Sequence, residues 1–178
     1  MLADVPLDLV GLDRLTPVPA PEETGRTFAE NARVKALAYA AATGELVVAE
    51  DSGLEIDALE GAPGVESARY GGADASYPRK FALIYDALRA RHANGSTARF
   101  VCAVALARGA DILFETRGTV EGTIAAAPRG DGGFGYDPIF FYPPYGRTLG
   151  EVTAVEKAAV SHRGQAFRTL RSWLLKQP

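Results

Sequence analysis

Two short segments near the end of the chain hold the residues best suited to recognising a planar ligand: Phe134-Gly135-Tyr136-Asp137, and Lys157-Ala-Ala-Val-Ser161-His162-Arg163-Gly164. Together they offer an aromatic face, a carboxylate and three cationic or titratable donors. A planar ring needs a face to stack on, and its edge needs hydrogen-bonding groups of the right sign. Lys157, His162 and Arg163 are mainly donors, which suits a ring edge carrying carbonyl oxygens. This is the pattern of a pocket for an oxo-substituted nucleobase.

Acidic candidates fall in two further clusters, Glu22-Glu23 and Glu50-Asp51-Ser52-Gly53. The second follows the apolar run Leu46-Val-Val-Ala49, and carboxylates leaving the end of a buried strand are well placed to line a crevice. Two such clusters suit Mg²⁺, which takes a few carboxylates, water and phosphate oxygens. Taken singly, each cluster also reads as an ordinary solvated loop or turn. Ser52-Gly53 adds a hydroxyl and a backbone that allows close approach of a phosphate. Arg69 and Lys80 are weaker phosphate candidates, and Lys80 is expected to be solvated. His92 is expected at a helix C-terminus, a structural place for a cation. His162 is expected at a helix N-terminus, where the neutral imidazole is favoured and binding is the better role.

Composition narrows the field. The chain has 178 residues and a formal charge of −3, with 47% hydrophobic and 23% charged residues, so one soluble domain over residues 1–178 is expected. The acidic balance argues against a nucleic-acid binder that works by neutralising phosphates. A lone cysteine, Cys102, lies in the apolar run 100–106 and reads as a buried strand residue. With no internal disulfide, no signal-peptide pattern at residues 1–6 and no bilayer-length apolar run, the cytoplasm is expected, without a membrane partner. The chain lacks Cys/His metal spacing, a P-loop, a dinucleotide fingerprint and a G-x-S-x-G elbow.

The elements that must position these residues can be read in order. Residues 7–12 alternate as a short strand, and residues 16–24, with three prolines, form a loop. Thr27-Phe-Ala-Glu30 is a capping box opening an alanine-rich helix that Gly44 ends. Residues 46–49 and 53–59 read as two strands, and Gly61–Gly64 and Gly71-Gly72 as turns. A second helix starts near Tyr77-Pro78 and stops at Asn94-Gly95, with Phe81, Ile84, Tyr85 and Leu88 on one face. Residues 98–107 and 112–126 form a long antiparallel hairpin. A short strand follows at 138–141. Thr153-Ala-Val-Glu156 is another capping box, over a helix to Val160. Ser161 then caps a last helix with Phe167, Leu170, Trp173 and Leu174 on its apolar face. The order predicts a mixed α/β domain with a long central sheet.

Taken together, the segments resemble the inosine triphosphate pyrophosphatase family, which hydrolyses non-standard purine nucleoside triphosphates. The resemblance rests on Glu22-Glu-Thr-Gly25 with Thr27-Phe-Ala-Glu-Asn31, and on Ala49-Glu-Asp-Ser-Gly-Leu54. It rests also on Gly61-Ala-Pro-Gly64 with Ser67-Ala-Arg-Tyr70, on Gly132-Gly-Phe-Gly-Tyr-Asp-Pro-Ile-Phe140, and on Glu156-Lys157 with Ser161-His-Arg-Gly164. These follow family order over nearly the whole chain. The resemblance implies an α/β fold with an elongated mixed sheet and flanking helices, two lobes around a central cleft, and a homodimer. It implies Mg²⁺ as cofactor, a purine nucleoside triphosphate as substrate, and monophosphate and pyrophosphate as products. By the same resemblance the metal ligands are Glu22, Glu23 and Asp51, with Asp51 also the proton acceptor. Substrate contacts fall on Ser52, Phe134, Gly135, Tyr136, Asp137, Lys157, His162 and Arg163.

Two departures from the family pattern stand out. Glu50 occupies a position where Asp is common. The family also opens with a strand and a Ser/Thr-x-Asn-x-x-Lys phosphate loop, and no Asn and Lys at that spacing precede residue 27. The resemblance therefore leaves as alternative a nucleotide-binding protein with impaired catalysis. A pyrophosphatase for modified pyrimidine nucleotides and a plain interaction domain are the other readings. Chemically, an adenine 6-amino group would leave the Lys157 and Arg163 donors unpaired, at about 1–3 kcal/mol per buried group. That disfavours ATP. GTP, which shares the 6-oxo group, is not separated by these residues.

Overall fold

The computed structural model describes residue 2, residues 4–15 and residues 17–177. Met1, Ala3 and Pro178 lie outside the described residues, as does Thr16, the expected first residue of the proline-rich loop. Among the described residues four α-helices, α1 (Phe28–Thr43), α2 (Tyr77–Ala90), α3 (Ala154–Val160) and α4 (His162–Leu174), accompany five strands. The strands are β1 (Leu46–Ile56), β2 (Thr97–Arg108), β3 (Asp111–Ile124), β4 (Phe140–Tyr142) and β5 (Arg147–Thr148), and they lie side by side in chain order in one sheet. β4 runs antiparallel to both β3 and β5, with Ile124 opposite Phe140 and Phe141 opposite Thr148. This is the α/β architecture that the order of elements predicts.

The chain folds as two compact units. One contains residues 1–51, 102–118 and 162–178, the other residues 52–101 and 119–161, so the boundaries fall inside β1, β2 and β3. In the first unit, Cys102, Val104 and Leu106 of β2 pack with Ala166 and Leu170 of α4, and Phe114 stacks on Trp173. The apolar face expected of the last helix is therefore the one it buries. In the second, Phe81, Ile84 and Leu88 of α2 pack with Leu54, Ile56, Phe100, Val120, Ile139 and Phe140. Among the described residues no helix is long and apolar enough to cross a membrane.

Local signals account for most element ends. Thr27 and Glu30 form the capping box of α1, and Thr153 and Glu156 that of α3. Gly44 closes α1 in the left-handed conformation. Four expectations change. Residues 7–12 take no strand; Leu7, Leu9, Val10 and Leu12 remain exposed, Leu9 at 72%, so the alternating pattern finds no pairing partner. Residues 46–56 form one strand rather than two. Gly53 does not break it, because the strand needs a bare backbone there: a Cβ would lie 2.3 Å from Ser67 Oγ and 2.8 Å from the Gly64 carbonyl. Helix α2 ends at Ala90, leaving His92 two residues beyond it at φ +53°. Lys80 is not solvated but buried, at 4% exposure. Its ammonium donates to the Ala68 carbonyl at 2.5 Å and lies 4.8 Å from the Tyr77 ring centre, partners that sequence spacing does not reveal.

Candidate active site

Glu50, Asp51 and Ser52 sit in the middle of β1, where successive side chains point to opposite faces. The two carboxylates therefore do not act as a pair. Glu50 accepts from the Arg163 guanidinium at 2.6 Å and from the Cys102 thiol at 2.9 Å. Asp51 accepts instead from Lys35 at 2.8 Å and from the Asn31 amide at 3.2 Å, both on α1. Asn31 and Lys35 are four residues apart and so share one helix face. Lys35 also donates to Glu23 at 3.0 Å, so one ammonium bridges Glu23 and Asp51. Asn31 is fully buried, and its Oδ1 accepts from the Gly25 amide at 2.8 Å, which ties the Glu-Glu-Thr-Gly segment to the helix.

The protonation balance follows from these partners. Burial raises Asp51, and the bonds from Lys35 and Asn31 offset only part of that rise. Burial also acts upward on Glu50, but the hydrogen bonds from Arg163 and Cys102 outweigh it and hold the carboxyl below its usual range. Burial would lower Lys35, yet its bonds to Asp51 and Glu23 raise it. Burial, with the Glu50 charge behind it, pushes the Cys102 thiol far up, so the expected inert core cysteine is what the fold contains.

The second unit carries the aromatic group. Asp137, 2% exposed, accepts from the Phe134 amide at 2.7 Å and from the Lys157 ammonium. Lys157 also lies 3.9 Å from the centre of the Phe134 ring, a cation–π contact, while that ring stays 59% exposed. Tyr136 is buried, and its hydroxyl donates to the Ser67 carbonyl at 2.8 Å. An exposed phenylalanine is thus held under a lysine that a buried carboxylate fixes.

Of the residues picked out in the sequence, the structure thus joins Glu23 with Asp51 through Lys35, and Phe134 with Asp137 and Lys157. Arg163 is joined to Glu50. His162 is the buried first residue of α4, the expected helix N-terminus. The Glu22 side chain is exposed, and Ser52 is half-buried in β1. Lys35 was not singled out in the sequence, Asn31 entered only within a family motif, Tyr77 only as a helix start, and Lys80 only as a solvated phosphate candidate. The Asn31/Lys35 spacing on a capped helix was the available signal for the first two.

Comparison with known proteins places the chain. Residues 1–173 match the model of the Ham1 family, and the chain belongs to that family. The dITP/XTP pyrophosphatase of Exiguobacterium sibiricum is 47% identical over 174 residues, covering 98% of this chain and 88% of that protein. The dITP/XTP pyrophosphatase of Gloeobacter violaceus is 53% identical over 153 residues, covering 86% and 76%. A HAM1 protein from Coxiella burnetii superposes with a TM-score of 0.87 at 44% identity, over 90% of this chain and 82% of that one.

Proposed function

We propose that this chain hydrolyses non-standard purine nucleoside triphosphates (ITP, dITP or XTP) to nucleoside monophosphate and pyrophosphate, and so cleanses the nucleotide pool. The observation that carries the reading is the Phe134–Lys157–Asp137 group, together with membership of a family whose relatives bear the name dITP/XTP pyrophosphatase. The ring of Phe134 stacks the base. Lys157, oriented by Asp137, donates to a 6-oxo oxygen; His162 and Arg163 are the further donors that the resemblance implies. A 6-amino group in that place leaves buried donors unpaired, and sites of this kind discriminate by roughly 10⁴-fold in favourable cases.

At the phosphates, water attacks the phosphorus next to the departing pyrophosphate, and its proton passes to Asp51. Ser52 contacts the substrate beside it. The Glu23 and Asp51 carboxylates already converge on one cation, the Lys35 ammonium, and offer only hard oxygen donors. That donor set fits Mg²⁺. Among the described residues no group of three His, Cys, Asp or Glu side chains is placed to hold a metal; Glu23 and Asp51 would hold the ion, with Glu22 the further ligand that the resemblance implies, and water and phosphate oxygens would supply the rest. When bound, Mg²⁺ neutralises charge on the phosphate oxygens.

Pyrophosphate release from ITP, XTP and ATP, with Mg²⁺ and with chelator, tests the proposal. The expected result is turnover of ITP and XTP far above ATP, abolished by chelation. Orthophosphate and a nucleoside diphosphate as products would refute it, because attack would then lie at the terminal phosphorus. A homodimer is the expected assembly, and sedimentation of the purified protein checks it.

A further inference from the structure

Lys80 is a buried cation that the proposed chemistry does not use. Among the described residues no carboxylate lies within ion-pair range of it; its partners are the Ala68 carbonyl at 2.5 Å and the face of Tyr77. Burying an ammonium without a counter-ion is costly unless its environment is fixed around it. The residues it touches lead directly to the base platform. Tyr77 meets Tyr136 edge-on, with ring centres 5.5 Å apart and planes at 89°. A Cβ built on Gly135 would lie 3.6 Å from the Tyr77 hydroxyl, so that ring also flanks the turn following Phe134. The adjacent carbonyls of Ser67 and Ala68 are bound from two directions, by the Tyr136 hydroxyl and by Lys80. Ser67 in turn anchors the loop to β1, accepting from the Leu54 amide at 2.9 Å and donating to the Gly64 carbonyl at 2.6 Å.

We propose that Lys80 and Tyr77 form a positioning clamp for the base-recognition segment 134–137, locking it to the loop of residues 61–70. Lys80 fixes the Ala68 carbonyl and the Tyr77 ring at once, and Tyr77 carries that constraint to Gly135 and Tyr136. The clamp acts on binding of the base rather than on cleavage. The inference rests on the reading of residues 134–137 as the base site.

Its test is the steady-state hydrolysis of ITP by Lys80→Met, Lys80→Arg and Tyr77→Leu, with thermal unfolding measured on each. Lys80→Met keeps the stem and removes the charged donor. It is expected to raise KM about tenfold, the scale of one charge-assisted hydrogen bond, with kcat within about twofold. Lys80→Arg, which restores a donor and a cation, is expected to recover most of that loss. Tyr77→Leu leaves the Lys80–Ala68 bond in place and is expected to raise KM as well, so the clamp remains testable if Lys80→Met does not fold. A stability loss with unchanged KM in these variants would overturn the clamp, as would a fall in kcat with KM unaltered. Wild-type protein that fails to release pyrophosphate from ITP would instead refute the underlying functional reading, a distinct outcome.

Discussion

Replacing Gly118 by alanine tests how tightly the end of the site in the first unit is built. Gly118 lies on β3 against the start of α4. A Cβ there would sit 2.0 Å from the His162 carbonyl oxygen, 2.8 Å from the Ala166 amide nitrogen and 3.0 Å from the His162 carbonyl carbon. All three are backbone atoms, so no side chain can swing away. Restoring even 3.0 Å to the closest contact requires the first turn of α4 to move by about 1 Å, from 2.0 to 3.0 Å. Overpacking of this kind costs about 1–3 kcal/mol. The same displacement moves His162 and Arg163, and Arg163 is held to Glu50 by a 2.6 Å bond that tolerates little shift. Misplacement by about 1 Å can reduce turnover by roughly 10²-fold. Gly118→Ala is therefore expected to lower the urea midpoint and to cut kcat/KM for ITP by one to two orders of magnitude. A Gly118→Ala protein with midpoint and kcat/KM both within twofold of wild type would refute the reasoning, since α4 would then have absorbed the methyl group without moving its first turn.

Three further outcomes are expected. Asp51→Asn keeps the shape, and Lys35 keeps Glu23 as partner, so the fold should survive while turnover falls by at least about 10²-fold; near-normal rates in a folded protein would remove Asp51 from the chemistry. Asp137→Ala strips the counter-ion from half-buried Lys157 and should cost about 1–3 kcal/mol in urea unfolding, together with weakened inosine monophosphate binding; calorimetry showing unchanged affinity would count against Lys157 as the base donor. The Glu156 carboxyl is lowered to about 2, first by the Thr153 amide, then by the Thr153 hydroxyl and Arg147. Its contribution to the α3 cap is therefore complete above the ordinary glutamate range and is lost as pH falls from about 4.5 toward 2. Amide exchange at the start of α3 should quicken over that window, and Glu156→Gln should flatten the dependence.

How much the sequence disclosed follows from how local each signal is. The capping boxes at Thr27 and Thr153 and the apolar face of α4 depend on residues within one or two turns, and each was legible. The Phe134–Asp137 and Lys157 segments were legible as motifs, and their contact across twenty residues needed only the short β4–β5 excursion between them. Lys80 was misread because its hydrogen-bond partner lies off its helix, in the loop before it: a lysine on a helix is ordinarily solvated, and the Ala68 carbonyl, with the face of Tyr77 one turn back on α2, overturns that expectation. Residues 7–12 were misread for the converse reason. Alternation marks a strand only where a neighbour offers free backbone groups, and pairing is not written in the alternating residues themselves.

The largest correction concerns the Glu50-Asp51 pair, and it changes the chemistry. Read as an acidic cluster at the end of a strand, they join Glu22-Glu23 as carboxylates suited to Mg²⁺, with Asp51 the expected ligand of the two. Read as positions inside β1, they are divided by the pleat. Asp51 faces α1, where Asn31 and Lys35 steady it beside Glu23. Glu50 faces Cys102 and the start of α4, where both its oxygens are occupied by the thiol and by Arg163. Asp51 is thus left facing α1, while its neighbour Glu50 orients the arginine of the His-Arg-Gly segment. This division also accounts for a glutamate at position 50: a side chain that must span to α4 rather than share a metal with Asp51 gains from the extra methylene.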